Sequence, residues 1–166
     1  MVADGMGGQA FGGLASRLAL RTAWDLQLNE IKWTLNVGDR EVQELREKAE
    51  LYFQLIDRAL FREAQTKPRS RGMGTTLTVA YTVGGNAFIA HVGDSRAYLV
   101  HEDTLTQLTR DHTVAQRLVD SGAFSESAGS FSHVLTNCIG CSQQGVDVEE
   151  HHVKLSDGDA LLLCSD

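Results

Sequence analysis

The spacing of apolar residues changes once along this chain, and that change limits the fold. Up to about residue 65 the spacing is helical. Phe11, Leu14, Ala15 and Leu18 fall at i, i+3, i+4 and i+7 and predict a helix over 9–28. Val42, Leu45, Ala49, Tyr52, Phe53, Ile56, Ala59 and Leu60 make one stripe of a second helix over about 41–65, stopped by Pro68. Glu44, Glu47, Lys48, Asp57, Arg58, Arg62 and Glu63 read as its solvated charges. Residues 29–40 read as a connector ending in a Gly38-Asp39 turn. From residue 77 the period is two. Leu77, Val79, Tyr81 and Val83 alternate with Thr78, Ala80 and Thr82, which predicts a strand, and Gly84-Gly85-Asn86 predicts a hairpin turn. Residues 87–92 form a strand that is apolar on both faces and should be covered on both. Gly93-Asp94-Ser95 turns into a strand over 96–100, and 105–108 reads as a short edge strand. Together these read as an antiparallel meander. Residues 146–155 alternate weakly, and 160–164 read as a buried strand after an Asp157-Gly158 turn. Helices followed by antiparallel strands place the chain in the α+β class.

Between these blocks the pattern loosens. Val114, Leu118 and Val119 predict a short helix. Residues 121–132 are rich in Ser, Gly and Ala and carry no apolar period. Such a stretch reads either as a lid beside a site or as a plain surface loop.

With 166 residues and 42% apolar content, one domain can bury a core. The net charge of −7 excludes nucleic acid as the main partner, because no basic stripe would neutralise phosphates. An acidic protein that handles anionic phosphate needs a local reversal of field, which bound divalent cations can supply. The apolar run over 160–164 is far too short to span a bilayer, and no targeting segment is visible, so a cytoplasmic location is expected. The cysteines are Cys138, Cys141 and Cys164; an odd count predicts free thiols in a reducing compartment. The C-x-x-C spacing of Cys138 and Cys141 lacks a second ligand pair, which leaves a zinc or redox role open. The abrupt start and finish of the chain predict a single domain over 1–166 that is incomplete at both ends.

The chemistry concentrates on acids beside turns. Val2-Ala3-Asp4-Gly5-Met6-Gly7-Gly8 puts one carboxylate on a glycine-rich turn ahead of a helix. Glycine lets a ligand approach the main chain, and an acid held there is a natural oxygen ligand for a hard cation. The same segment also reads as a strand-to-helix turn with a capping aspartate. It lacks both the Lys-Ser/Thr of a nucleotide phosphate loop and the dinucleotide glycine pattern. Asp94 and Asp166 share the setting of Asp4, since each follows an apolar strand-like run. Convergent carboxylates repel unless cations bind between them, and an oxygen-only set points to Mg²⁺ or Mn²⁺.

Six segments carry a family resemblance: 2–8, Gly72-Met73-Gly74-Thr75-Thr76, Ala90 through Tyr98, Leu108 through Thr113, Val134 through Gly140, and Cys164-Ser165-Asp166. In this order the chain resembles the PPM-type metal-dependent Ser/Thr protein phosphatases, the protein phosphatase 2C family, in their bacterial form. The resemblance implies an α-β-β-α sandwich of two antiparallel sheets flanked by helices, partial in this chain. It implies two core Mn²⁺ or Mg²⁺ ions and a third, weaker one. Asp4 matches the acid bridging the core metals, and the Gly5 carbonyl a ligand of the second. Asp166 matches a ligand of the first, Asp94 an acid of the third site, and about 113–136 the flap. The implied reaction is hydrolysis of phosphoserine and phosphothreonine esters by attack of a metal-bridging water. Phosphorylated proteins would be substrates and a Ser/Thr kinase a counterpart, with no nucleic-acid or membrane partner and an unassigned oligomeric state.

The chain also departs from the pattern. The family's first strand, with a phosphate-binding Arg, and its last, with an Asp-Asn pair, have no match. Met6 stands where many eukaryotic members carry a His proposed as general acid, so no catalytic side chain beyond the metal ligands is assigned. Arg96 reads as structural, and His91 and His112 as packed or turn histidines. The departures leave a second expectation, a non-catalytic phosphatase-like module that binds or regulates a partner.

Overall fold

The computed structural model describes residues 1–7, 9–28, 38–66, 70–122 and 131–165, without the side chains of 9, 10, 27, 28 and 39. Gly8, the connector over 29–37, the Pro68 stop, most of the 121–132 excursion and Asp166 lie outside these residues. The helices are α1 (Gln9–Leu28), α2 (Asp39–Thr66) and α3 (Val114–Asp120). Strands β1 (Gly5–Met6) and β2 (Gly74–Thr75) pair as a short antiparallel ribbon. One antiparallel sheet has the order β3-β4-β7, from Leu77–Val83, Asn86–Val92 and Glu149–Lys154. Another has the order β6-β5-β8, from Thr104–Gln107, Arg96–His101 and Ala160–Cys164.

The expected meander is therefore two hairpins in two sheets. The chain leaves the first sheet after Val92 and enters the second at Arg96. The cause is the two-faced apolar strand β4, which needs cover on both sides. On one face Ala90 and Val92 join Leu77 and Val79 in a core with Phe53, Ile56 and Leu60 of α2 and Ala15 and Ala19 of α1. On the other, Ala87 and Ile89 pack with Ala97, Leu161 and Leu163 of the second sheet. Helices on sheet on sheet make an α+β sandwich.

Three expectations need correction. The apolar run over 160–164 predicts a buried strand, yet Leu162 is 47% exposed, because Leu161 and Leu163 face the inter-sheet core and Leu162 between them points to the other face. Asp57 reads as a solvated charge, yet it is 1% exposed and its carboxylate accepts the Gly140 N–H at 2.7 Å. Burial raises its pKa above the usual carboxylate value. Cys138 and Cys141 read as free thiols, but a tight turn brings their Cα atoms to 5.7 Å and they are joined as a disulfide. Cys164 is free.

Helix α1 crosses the ribbon at close range. A Cβ on Gly12 would strike the Gly5 carbonyl oxygen, and a Cβ on Gly5 would strike the Gly12 carbonyl. Gly13 is exposed, and a Cβ there would meet nothing within 4 Å. Gly12→Ala should therefore destabilise the protein by about 2 kcal/mol through overpacking. Gly13→Ala should be neutral or stabilise by up to about 1 kcal/mol through helix propensity. Urea unfolding of both variants checks the contrast.

The change of sheets is locked by histidines. Gly93 adopts φ +116, and its carbonyl accepts the His112 backbone N–H at 2.7 Å. His91 is fully buried, and its Nε2 faces the carbonyls of Gly93 (3.0 Å) and Arg110 (3.2 Å). That nitrogen must carry the proton, so Nδ1 accepts from the Thr78 hydroxyl at 2.8 Å. His112 Nδ1 accepts the Gly93 N–H at 3.1 Å, and its Nε2 donates to Glu149 at 3.2 Å. Glu149 also accepts the Arg110 N–H and binds His151 Nε2.

Burial, with His112 alongside, lowers the His91 pKa from 6.5 to about 4. Burial works to raise Glu149, but the hydrogen bonds from His112 and His151 outweigh it and bring its pKa from 4.5 to about 2. Both groups bind protons more readily when the chain is unfolded, so stability rises with pH through each window. The His91 contribution is intact above pH 6.5 and is lost down to about 4; that of Glu149 is intact above 4.5 and is lost toward 2. The thermal midpoint should fall on acidification below 6.5, with His91 contributing about 1.4 kcal/mol per pH unit inside its window. His91→Gln should flatten that slope between pH 6.5 and 4, as read by calorimetry.

Candidate metal centre

Asp4 sits between a bridge joining Val2 to Thr78 and strand β1. Its backbone is held at both polar groups. The N–H donates to the Thr76 hydroxyl at 2.8 Å. The carbonyl accepts the Thr76 N–H at 2.8 Å and the Thr75 hydroxyl at 2.7 Å. Asp4 itself is exposed. Gly5 follows in β1, opposite Thr75, with its carbonyl lying against Gly12.

Asp94 is half-buried on the turn between the sheets. Its neighbour Ser95 is buried, and the Ser95 and Thr76 hydroxyl oxygens lie 2.7 Å apart in a hydrogen bond. Thr76 thus touches both acid-bearing segments, the extended one through the Asp4 N–H and the turn between the sheets through Ser95. The turn expected at Asp4-Gly5 is instead extended backbone entering β1, and the structure brings this segment and the Asp94 turn together through Thr76. Asp166 lies outside the described residues; Cys164 of β8 pairs with Arg96, two positions after Asp94.

The bracing threonines carry the positioning role that reading the acids alone misses. Thr75, Thr76 and Thr78 are all buried. The available signal is a pair of hydroxyls, Thr76 and Thr78, on one face of a strand whose other face is Leu77 and Val79. A hydroxyl on an inward face needs a partner; Thr76 finds the two acid-bearing segments, and Thr78 finds His91.

Other candidates resolve as structural. The Arg96 guanidinium grips Asp111 with two bonds, at 2.8 and 2.5 Å, and touches the Tyr98 hydroxyl at 3.3 Å. This pairing raises its pKa and engages the guanidinium edge that a phosphate would need. His91, His112 and Glu149 have ligand atoms within 4.8 Å of one another, close enough for one ion. Both ring nitrogens of each histidine already have protein partners, so an ion there would have to displace the lock on Gly93. A cavity of about 580 Å³ opens beside α3 and residues 135–147, with Arg110, Arg117 and Asn137 in its wall; neither Asp4 nor Asp94 lines it.

Asp4, Asp94 and the Gly5 carbonyl offer oxygen atoms, a set that would suit a hard divalent cation.

Comparison with known proteins gives the family. Residues 3–119 match the family Protein phosphatase 2C. The chain is 35% identical to the serine/threonine phosphatase stp of Listeria welshimeri, over 100% of its own length and 64% of that protein's. It is 34% identical to the serine/threonine protein phosphatase PstP of Mycobacterium tuberculosis, over 99% of its own length and 30% of that protein's. Its fold superposes on the S. agalactiae serine/threonine phosphatase with a TM-score of 0.81 at 29% identity, covering 97% of this chain and 64% of that one. The PstP catalytic domain, solved in complex with two manganese ions, gives a TM-score of 0.77 at 32% identity, covering 99% and 65%. The chain thus spans about two thirds or less of these relatives. With the family matched over most of its length, the chain belongs to the protein phosphatase 2C family.

Proposed function

We propose that this chain carries the core of a metal-dependent protein serine/threonine phosphatase that hydrolyses phosphoserine and phosphothreonine esters. The observation that carries this reading is the cross-bracing of the Asp4 segment and the Asp94 turn through the Thr76 hydroxyl. Asp4, the Gly5 carbonyl, Asp94 and Asp166 are the proposed ligands of Mn²⁺ or Mg²⁺, two core ions and a weaker third. When bound, such ions activate water and offset charge on the phosphoryl oxygens. The protein's own part is to hold the ligand oxygens in place before binding. Fixing the Asp4 backbone at three hydrogen bonds removes an ordering cost that binding would otherwise carry.

We read residues 1–166 as one phosphatase domain and about 113–136 as its flap. Support comes from the base of that segment, where Thr113 bridges Leu135 and the Val114 N–H donates to the Val134 carbonyl at 2.9 Å. Phosphorylated proteins are the proposed substrates, with a Ser/Thr kinase as counterpart and a cytoplasmic setting. No helix among the described residues is long and apolar enough to cross a membrane.

The test is hydrolysis of p-nitrophenyl phosphate and a phosphothreonine peptide, with and without Mn²⁺, using the chain together with any flanking sequence its gene encodes. Activity should depend on Mn²⁺. Asp4→Ala should lower kcat/KM by more than about 100-fold, the loss of a metal ligand. Thr76→Val should cost about 10-fold, in the range for residues that orient a ligand, and Thr76→Ser should restore most of it. A folded protein without Mn²⁺-dependent activity, or an Asp4→Ala variant as active as the parent, would overturn the reading in favour of a non-catalytic module.

A further inference from the structure

We infer that Cys138 and Cys141 form a reversible dithiol–disulfide couple whose state sets how firmly the Asp4 segment is braced. The couple stands apart from the phosphatase reading; only its consequence for catalysis rests on that reading.

The two sulfurs bracket Ile139, and Ile139 is where this loop meets the metal-centre scaffold. Ile139 is fully buried and exchanges two backbone bonds with Thr75, at 3.0 and 2.9 Å. Thr75 in turn donates its hydroxyl to the Asp4 carbonyl at 2.7 Å. The next residue, Gly140, is anchored by the buried carboxylate of Asp57 at 2.7 Å. The loop is therefore fixed at Ile139 and at Gly140, and a change at the flanking sulfurs has little slack in which to dissipate.

A second contact runs from the disulfide itself. Cys141 Sγ lies 3.8 Å from Met6 Sδ. It also fills the space where a Cβ on Gly74 would stand. Met6 and Gly74 are paired residues of the β1–β2 ribbon, whose other pair is Gly5 with Thr75. Both strands of the ribbon beside Asp4 thus rest on one sulfur.

Exposure favours exchange. Cys141 is exposed and Cys138 is half-buried, the arrangement of an attacking thiol with a resolving one behind it. Starting from the dithiol, the Cys141 thiolate attacks one sulfur of a low-molecular-weight disulfide and expels one small thiolate. Cys138 loses its proton to solvent, attacks the Cys141 sulfur of the mixed disulfide and expels the second small thiolate. Two protein thiols become one disulfide as one small disulfide becomes two thiols, with two electrons transferred. In the reverse direction two unbonded sulfurs need van der Waals separation, which widens the turn around Ile139. By linkage, whatever steadies the Thr75–Ile139 bridge favours the disulfide, and the disulfide steadies the bridge by the same factor.

The test uses the chain with Cys164→Ser, so that only the pair reacts. The protein is equilibrated in mixtures of reduced and oxidised glutathione, trapped with N-ethylmaleimide and weighed by mass spectrometry. The expected result is a single step of two alkylations, at the same glutathione ratio from the oxidised and the reduced side. Two alkylations at every ratio, or none under excess reductant in the native protein, would overturn the couple. Amide hydrogen exchange on the same samples reads the bracing. Peptides containing Thr75-Thr76 and Ile139 should exchange about threefold faster or more in the reduced form. Equal rates would overturn the coupling. Cys141→Ser should show the faster rate at every ratio; should that variant not fold, the parent titration decides alone. Loss of Mn²⁺-dependent hydrolysis in both redox states, with the two-thiol step intact, would count against the phosphatase reading and leave the couple standing.

Discussion

The Thr76 hydroxyl is the contact on which the rest of the site depends. It accepts the Asp4 N–H and shares a hydrogen bond with Ser95, so one buried oxygen links the extended segment before β1 to the turn between the two sheets. These segments lie far apart in sequence, and nothing local would hold them together. A buried hydroxyl with only one partner would leave part of its bonding capacity unmet at a cost of about 1–3 kcal/mol, so each segment helps to hold the other in register. The close fit of Gly93 against Thr76, where a Cβ would strike the threonine side chain, leaves that register little freedom.

Strand β4 explains why the two segments meet there at all. Its two apolar faces demand helices on one side and a second sheet on the other. The chain must therefore leave the first sheet at the end of β4, and Gly93-Asp94-Ser95 makes that exit. His91, on β4 itself, and His112, on the segment after β6, hold both polar groups of Gly93, and so steady the turn that carries Asp94.

Much of this was legible in the residues. Period-two alternation over 77–83 and the helical stripe over 42–60 became β3 and α2. Gly93 marked the turn that carries Asp94, whereas Asp4, expected on a glycine turn, lies in extended backbone that runs into β1. What period could not give was sheet membership: β4 and β5 are neighbours in sequence with a turn between them, and that reads the same whether they pair or part. Burial of single charges was equally hidden. Asp57 shares its helix with solvated charges, and only the distant Gly140 N–H shows why it faces inward. The pairing of Cys138 with Cys141 likewise depends on the turn geometry around Gly140, which spacing leaves open.

Exposure of Asp4 sharpens the physical picture of the centre. The Asp4 backbone bonds inward to Thr75 and Thr76, and the residue itself is exposed. The division separates two tasks. Backbone amides and threonine hydroxyls, neutral and cheap to bury when paired, absorb the positioning. An exposed carboxylate keeps most of its hydration, so its charge costs little there. Buried neutral bracing beneath an exposed acid lets a chain of net charge −7 hold Asp4 in place at little desolvation cost.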